Sequence, residues 1–245
     1  MTPALAANNP GLEDVVAGIL AGIAPPLAMR ETIAELNLGL ALTADLTPVA
    51  GLTALRRLVL TRTRVADLTP LTGLTALRDL DLRLTRIADI APLAGLTAMR
   101  SLILSMTAVV DISPLRGMTG LESCYLTGTL VADLSPLAGL TQLERVDAGG
   151  TPVTDIAPLA GLHRLRSLEL ASTRVADLSP LACLTALEFL DLGDTPVADP
   201  RPLIGLTRLR RLDVRGTKID DLSVLAGLTG CEIVTASTVP RRRRR

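Results

Sequence analysis

The sequence predicts an α/β repeat solenoid, in which each repeat supplies one short strand and one short helical turn. A 22-residue motif recurs without interruption from Ile33 to about Thr235, and aspartate occupies the same place in nine consecutive copies. Within each copy, alternating apolar residues are followed by a segment that usually contains proline. Because self-similarity at a short fixed period is the signature of stacked repeats, we expect one elongated array of similar coils.

The composition agrees with a folded chain whose core consists of many small contacts. Of the 245 residues, 48% are hydrophobic, the formal net charge is zero, and the aromatic residues are one Phe and one Tyr. Disordered chains combine low hydrophobicity with high net charge, so this chain is expected to fold. A core without large aromatic residues must be assembled from repeated aliphatic contacts, which again indicates a modular fold.

Residues 1–32 are predicted to form an N-terminal helical cap over the first coil. Asn9 is the candidate N-cap residue, and Pro10 is suited to the first helical position. A membrane-associating helix is the alternative, but no Lys or Arg lies on the polar side to support it. The apolar residues that share one helical stripe are Leu12, Val15, Val16, Ile19, Leu20 and Ile23.

No membrane or secretory segment is predicted. The apolar stretch from Val15 to Ala24 is too short to span a bilayer, and Glu13 and Asp14 precede it where a signal peptide has basic residues. The odd number of cysteines, three, fits a reducing compartment. We therefore expect a cytoplasmic protein, with secretion by a route that leaves no cleaved signal as the alternative.

The repeat domain is predicted to cover residues 33–240, with nine full copies and a partial tenth from Cys231. We number the 22 repeat positions from the residue that begins each copy, so that Leu55 is position 1 of the second copy. Repeat positions 4 and 6 are apolar, as in a short strand with one buried face, so Leu58 and Leu60 should point inward and Val59 outward. The stacked copies should give a parallel sheet of about nine strands, roughly 40 Å long. The copies begin at Ile33, Leu55, Leu77, Met99, Leu121, Leu143, Leu165, Leu187 and Leu209.

The second part of each copy predicts a short helical or 3₁₀ segment. Repeat position 15 is Ser or Thr in six copies, which we interpret as an N-cap hydroxyl, and position 16 is Pro in eight copies, with Val224 the exception. Position 19 is usually Gly, which ends the segment. Position 13 is Asp from Asp45 to Asp221, and predicts an Asx turn; a line of calcium ligands is the alternative for these carboxylates.

These positions, D-[LI]-[ST]-P-L-x-G-L-T after L-x-L-x-x-T-x-[VI], resemble the bacterial leucine-rich repeats of the internalin type over most of the chain. The resemblance implies a right-handed horseshoe with a concave parallel sheet, short 3₁₀ or irregular convex segments, and protein recognition by the concave surface. The family usually has Asn at repeat position 9. Here Thr occupies that position in eight copies, from Thr63 to Thr217, and a ladder of threonine hydroxyls is expected instead.

The sequence contains no constellation typical of an enzyme. The single histidine, His163, stands where other copies have Thr, and we interpret it as a surface residue. Cys124, Cys183 and Cys231 are interpreted as small core residues without a base to activate them. We therefore expect no enzymatic activity, no cofactor, no metal and no small-molecule substrate.

Recognition is expected at repeat positions 3, 5, 7, 8 and 10, which vary between copies and project from the concave sheet or its edge. Residues at these positions are basic in the early copies, apolar in the middle and acidic in the later copies, where four carboxylates share position 5. Like charges about 5 Å apart repel each other, so we expect a protein or peptide partner with a basic segment. A targeting segment of a secreted bacterial effector is the alternative. The candidate residues are Arg57, Arg62, Arg83, Ile103, Met106, Tyr125, Asp147, Glu169, Phe189, Asp191 and Asp213.

The C-terminal end carries two further expectations. Arg241–Arg245 form a poly-arginine tail, which we interpret as solvated, with nucleic-acid binding as the alternative. No capping helix follows Ile233 and Val234 in the sequence. The last coil is therefore expected to expose an apolar edge that favours a homodimer.

Overall fold

The computed structural model of the protein describes residues 10–235. Within this range, two helices precede ten strands, and a 3₁₀ turn follows each of the first nine strands. The helices are α1 (Pro10–Leu20) and α2 (Leu27–Arg30). The strands are β1 (Glu35–Asn37), β2 (Arg57–Val59), β3 (Asp79–Asp81), β4 (Ser101–Ile103), β5 (Ser123–Tyr125), β6 (Arg145–Asp147), β7 (Ser167–Glu169), β8 (Phe189–Asp191), β9 (Arg211–Asp213) and β10 (Glu232–Val234).

All ten strands belong to one open parallel sheet in sequence order, which confirms the α/β leucine-rich-repeat solenoid. From β1 to β9, each strand residue pairs with the residue 22 positions further on, as Glu35 does with Arg57. Each of these strands therefore occupies repeat positions 3 to 5. Connections between parallel strands are right-handed, which gives the coil its hand. We call the exposed side of the sheet, on the concave side of the solenoid, the sheet face.

The core is one continuous apolar column between the sheet and the 3₁₀ turns. Leu58 and Leu60 are fully buried while Val59 is half-buried, as the alternation predicts. The column extends from Val15 in α1 to Leu228 in the last coil. No coil could bury these residues alone, so the stability of each copy depends on its neighbours.

The helical cap is shorter than predicted. Val15 and Ile19 are buried and join the core, but α1 ends at Leu20 and leaves Ile23 exposed. The helix ends there because Gly22 adopts a left-handed conformation and the Ile23 N–H donates to the Gly18 carbonyl at 2.8 Å, as in a Schellman motif. The candidate cap residue Asn9 lies outside the described residues.

The last coil departs from the strict period. Glu232 in β10 pairs with Arg211, an offset of 21 residues, so the tenth copy has lost one position relative to the others. Ile233 consequently pairs with Leu212, at an inward position, although the sequence period places it one position earlier on the outward side. The prediction of an unbroken period is therefore wrong at its end, because the turn before β10 is one residue shorter.

The turn before each 3₁₀ segment is held by the aspartate at repeat position 13. In all nine copies this carboxylate accepts the backbone N–H two residues later, as Asp133 Oδ1 does from Ser135 at 2.7 Å. The Asx turn is confirmed. The Ser or Thr at position 15 is not the N-cap residue, because the 3₁₀ segment already includes it and no side-chain hydrogen bond caps the segment from the preceding residue.

The threonines at repeat position 9 do not form a ladder between copies. Thr129 Oγ1 donates to the carbonyl of Leu126 in its own copy at 2.7 Å, and the other seven threonines make the same contact. A hydroxyl has a single O–H donor, and that donor is used within its own copy, so it stabilises only the turn that follows its own strand.

The three cysteines differ in their surroundings. Cys124 is buried beneath β5, but Cys183 is exposed and Cys231 is half-buried, so the prediction of three core residues holds only for the first. Cys183 replaces a surface glycine at repeat position 19, and Cys231 lies in the shortened last coil. Among the described residues, no helix is long and apolar enough to cross a membrane.

Candidate functional site

The register of the sheet brings the predicted carboxylates together on the sheet face. Tyr125 pairs with Asp147, which pairs with Glu169, followed by Asp191 and Asp213 on the next two strands. Neighbouring strands of a sheet lie about 4.8 Å apart. The four acidic side chains therefore form one row across β6, β7, β8 and β9, as the sequence predicts.

Asp213 is neutralised within the chain, contrary to the prediction that it awaits a basic partner. Only 3% of Asp213 is exposed, and its Oδ2 lies 2.6 Å from Nη2 of Arg215. The Arg215 backbone N–H also donates to Asp213 Oδ1, at 3.1 Å. Burial raises the pKa of Asp213, but these hydrogen bonds and the guanidinium charge together outweigh it, so the pKa is lowered. The part of the row without an ion pair among residues 10–235 therefore contains three carboxylates, Asp147, Glu169 and Asp191, which we call the acidic patch.

Two members of the acidic patch also have a structural role. Asp147 Oδ1 accepts the Gly149 N–H at 3.0 Å, and Asp191 Oδ1 accepts the Gly193 N–H at 2.8 Å. In the first copy, Asn37 makes the same contact with a backbone N–H at 2.9 Å. A side-chain carbonyl is therefore sufficient for this turn, and the negative charges of the two aspartates are not needed for it.

Glu169 lies between the two aspartates and is the exposed centre of the acidic patch. It has no hydrogen-bond donor among residues 10–235. Partial loss of hydration raises the pKa of Glu169, and the neighbouring charges of Asp147 and Asp191 raise it further. The ionised carboxylate is thus held in a place where its charge is unfavourable unless a cation lies nearby.

Aromatic side chains lie at both ends of the acidic patch. Tyr125 is half-buried on β5 beside Asp147, and Phe189 on β8 is 45% exposed. Phe189 and Glu169 line a shallow hollow of about 290 Å³ that ends at Arg211 and Arg215. The arrangement offers negative charge at the centre and apolar contact on both sides.

The basic half of the sheet face differs from the prediction. Arg83 is paired with Asp81 through Nη2 and Oδ2 at 2.7 Å, so its charge is neutralised in the same way as that of Arg215. The pair lines a second hollow, of about 230 Å³, together with Arg57 and the half-buried Ile103. Of the three predicted early arginines, Arg57 and Arg62 make no ion pair within the described range.

Arg62 and Met106 lie at the edge of the sheet face, at repeat position 8. Their φ angles are 59° and 57°, and every one of the nine copies has a positive φ at this position. Bulky residues rarely adopt this left-handed conformation, which costs a non-glycine residue about 1–2 kcal/mol. Glycine occupies repeat position 8 in three copies, and these glycines are the signal in the sequence that the position has a left-handed conformation. The residues are Leu40, Arg62, Leu84, Met106, Gly128, Gly150, Ser172, Asp194 and Gly216.

Comparisons with known proteins agree with this geometry. No family model matches the chain, and a search of curated proteins finds no match. Among solved structures, the internalin InlF of Listeria monocytogenes has 31% sequence identity and a TM-score of 0.86, over 94% of this chain and 69% of that protein. The chain belongs to the internalin family of leucine-rich-repeat proteins. A second internalin of the same bacterium has 28% identity and a TM-score of 0.73, with 93% of each chain covered.

A more distant likeness extends the internalin comparison at the level of the fold. A leucine-rich-repeat protein of Leptospira interrogans has 22% identity and a TM-score of 0.79, over 86% of this chain and 57% of that protein. Within residues 10–235 of this internalin-family chain, no group of three or more His, Cys, Asp or Glu residues is placed to hold a metal ion. His163 is exposed, as expected for a surface residue.

The predicted site residues of this internalin-family chain therefore divide between three surfaces, one of which is the early hollow lined by Arg57, Arg83 and Ile103. Tyr125, Glu169 and Phe189 gather with the two aspartates on the later half of the sheet face. Arg62 and Met106 belong to the edge at which the early strands end. Arg215 and Leu84 were not singled out from the sequence, because neither an intrachain ion pair nor a left-handed conformation is visible in a single repeat.

Proposed function

We propose that this chain is a non-enzymatic protein-interaction module that binds a basic segment of a partner protein on the acidic patch. The observation that carries the proposal is the position of Glu169, an exposed carboxylate with a raised pKa between two further acidic residues. A lysine or arginine over Glu169 would relieve this repulsion. Membership of the internalin family supports a protein partner, because leucine-rich-repeat proteins of this kind are protein-interaction modules.

The flanking aromatic residues support a peptide-like ligand. From Tyr125 on β5 to Phe189 on β8 there are three strand spacings, about 14 Å. About four or five residues of an extended segment cover that distance. Aromatic rings favour cationic side chains and are frequent anchors of protein interfaces, so both ends of the acidic patch would contribute to binding. Arg215 at the far end would exclude a second cation there.

The proposal is tested with a random peptide library displayed on phage and selected against the whole chain. The test variant is the triple substitution Asp147→Asn, Glu169→Gln and Asp191→Asn, which removes three charges. Asn37 shows that an asparagine side chain supports the same turn, so the fold is expected to be retained. Peptides rich in Lys and Arg should be selected, and their affinity for the variant should fall at least about tenfold, the effect of losing 1.4 kcal/mol of binding energy.

A matched control separates local from general charge effects. Asp133→Asn, Asp155→Asn and Asp177→Asn remove the same number of charges from Asx turns on the opposite side of the coils. These substitutions should leave the affinity of the selected peptides unchanged. Selected peptides without a basic excess, or equal binding to the acidic-patch variant and to the unmodified chain, would refute the proposal.

A homodimer through the C-terminal end is a separate proposal. In the described sheet, β10 pairs only with β9, and Ile233 and Val234 remain partly exposed. A free strand edge with apolar neighbours can pair with a second copy. Sedimentation velocity over the micromolar range should show dimers that Ile233→Lys converts to monomers, whereas a monomer at every concentration would refute this proposal.

A further inference from the structure

The edge of the sheet face at which the early strands end has a surface that the acidic patch does not explain. We call Leu40, Arg62, Leu84 and Met106 the strand-exit ridge; they occupy repeat position 8 of the first four copies, and all have a positive φ. Leu40, Leu84 and Met106 are 66%, 45% and 55% exposed. These residues therefore have an unfavourable backbone conformation, and burial of their side chains does not offset its free-energy cost.

The ridge is confined to one part of the solenoid. From the fifth copy onward, repeat position 8 contains only small or polar residues, and three of these five are glycines. The ridge ends at Met106, whose side chain lies over Gly128 in the next copy. A repeated fold that accepts glycine at this position has no structural need for consecutive large residues there. Strained and exposed side chains of this kind point to a functional surface.

The charge beside the ridge identifies the chemistry of its partner. Arg62 belongs to the ridge, and Arg64 and Arg86 lie two residues further along their coils, at repeat position 10. All three are exposed, and none forms an ion pair within the part of the chain that the structure describes. Positive charge that no ion pair neutralises in the described residues, next to exposed aliphatic side chains, is complementary to a segment that carries both carboxylates and apolar groups.

We propose that the strand-exit ridge binds an acidic segment of a partner protein that also carries aliphatic or aromatic side chains. The segment runs along the solenoid axis over the first four copies, a span of about 14 Å at the strand spacing. Its apolar side chains contact Leu84 and Met106, and its carboxylates contact Arg62, Arg64 and Arg86. The ridge is a second surface, separate from the acidic patch, and its proposal does not depend on binding at Glu169.

The decisive variant replaces Leu84 and Met106 by glycine. Glycine adopts a positive φ without strain, so the double variant should unfold at the same temperature as the unmodified chain or at a higher one. A lower unfolding temperature would show that these side chains stabilise the fold, and would overturn the proposal. If the ridge variant is at least as stable as the unmodified chain and loses binding, misfolding cannot explain the loss of binding.

Binding is measured with the same phage-displayed random peptide library, now selected against the acidic-patch triple variant so that only other surfaces are sampled. We expect peptides enriched in Asp and Glu together with Leu, Ile or Phe. Their affinity should fall at least tenfold for the Leu84→Gly/Met106→Gly variant and also for Arg62→Ser/Arg64→Ser. Restoring Asp147, Glu169 and Asp191 should leave the affinity of these peptides unchanged. Peptides without an acidic excess, or peptides that bind the ridge variants as tightly as the parent chain, would overturn the proposal.

Sedimentation velocity distinguishes a partner protein from a second copy of this chain. The proposal expects the same oligomeric state for the unmodified chain and the ridge variant at every micromolar concentration. If Leu84→Gly/Met106→Gly dissociates an oligomer, the ridge is a self-association surface and the proposal is overturned. If the selection against the unmodified chain yields no basic peptides, but the selection against the acidic-patch triple variant yields acidic ones, only the function proposed for the acidic patch is refuted.

Discussion

Gly216 lies directly against the carboxylate of Asp194, its counterpart at repeat position 8 of the preceding copy. Both residues have a positive φ, 70° and 55°, and a Cβ atom on Gly216 would overlap the Asp194 side chain. We expect Gly216→Ala to lower the free energy of unfolding by about 1–2 kcal/mol, mainly through left-handed strain on the new residue. Chemical denaturation monitored by circular dichroism measures this change.

Gly227→Ala is the matched control for Gly216→Ala. Gly227 lies in the same C-terminal region, has no positive φ, and a Cβ atom there would meet nothing within 4 Å. Its replacement should change the free energy of unfolding by no more than about 0.5 kcal/mol. Equal destabilisation by the two substitutions would contradict the role of the left-handed turn.

The sequence was sufficient to predict the coil, because its repeated positions each perform a local task. The Asp133 turn depends only on residues two apart, and the inward direction of Leu58 follows from strand alternation. Nine copies made these signals unmistakable. The one-residue shift before Ile233 was not predicted, because it occurs once and leaves no repeated signal.

The candidate site was predicted in its outline but not in its charges. Alignment of the copies placed Asp147, Glu169 and Asp191 side by side, and the strand register confirms this. The neutralisation of Asp213 by Arg215 depends on side-chain conformations at two positions of a single copy. Alternation along a strand gives the direction of each side chain but not its ion pair, so the extent of the acidic patch required the structure.

Thr129→Val should destabilise the fold modestly. Thr129 is buried, and its hydroxyl donates to the Leu126 carbonyl at 2.7 Å. The Thr129 backbone N–H donates to the same carbonyl at 3.0 Å, so valine leaves no unsatisfied oxygen and costs only the net value of one hydrogen bond, about 1 kcal/mol. Urea unfolding measures the loss. Thr141→Val, at an exposed position of the same copy, is the control and should be neutral.

The Asx turns should make the solenoid sensitive to acid. Hydrogen bonds from the backbone and side chain of Ser135 lower the pKa of Asp133, and Arg201 lowers that of Asp199 to about 2. A carboxylate with a lowered folded-state pKa stabilises the fold above its ordinary pKa of 3.8, and that stability is lost as the pH falls towards the folded-state value. The carboxylates with this shift at repeat position 13 are Asp45, Asp67, Asp111, Asp133, Asp177, Asp199 and Asp221.

Thermal unfolding followed from neutral pH to below pH 3.8 tests this expectation. The unfolding temperature of the unmodified chain should fall steeply below that pH. Asp133→Ala should lower it already at neutral pH, with a smaller further loss in acid. Asp220→Ala, which removes an exposed carboxylate without a hydrogen bond among the described residues, should match the unmodified chain throughout. If Asp220→Ala lowered the unfolding temperature as much as Asp133→Ala does, the Asx turn could not be the cause of the loss.

The cysteines should react with iodoacetamide in order of their exposure. Cys183 is exposed, Cys231 is half-buried, and burial raises the pKa of the Cys124 thiol to about 12. Because the thiolate is the reactive form, Cys183 should be alkylated first near pH 8 and Cys124 only after unfolding. Peptide mass mapping over time measures the order. Cys183→Ser should remove the fast phase, and early alkylation of Cys124 would contradict its place in the core.

Glu169→Gln should stabilise the fold at neutral pH. A raised folded-state pKa means that the ionised form of Glu169 is less favourable in the folded chain than in the unfolded chain, and this penalty is relieved as the pH falls through the folded-state value. Glutamine removes the charge, so the variant should have the higher unfolding temperature near pH 7, and the difference should disappear in acid, where glutamate is protonated. Glu35→Gln, on β1 at the opposite end of the sheet, is the control and should show no such difference. A Glu169→Gln variant less stable than the unmodified chain near pH 7 would mean that a group within the chain already neutralises the acidic patch, leaving no unfavourable charge for a basic partner to relieve.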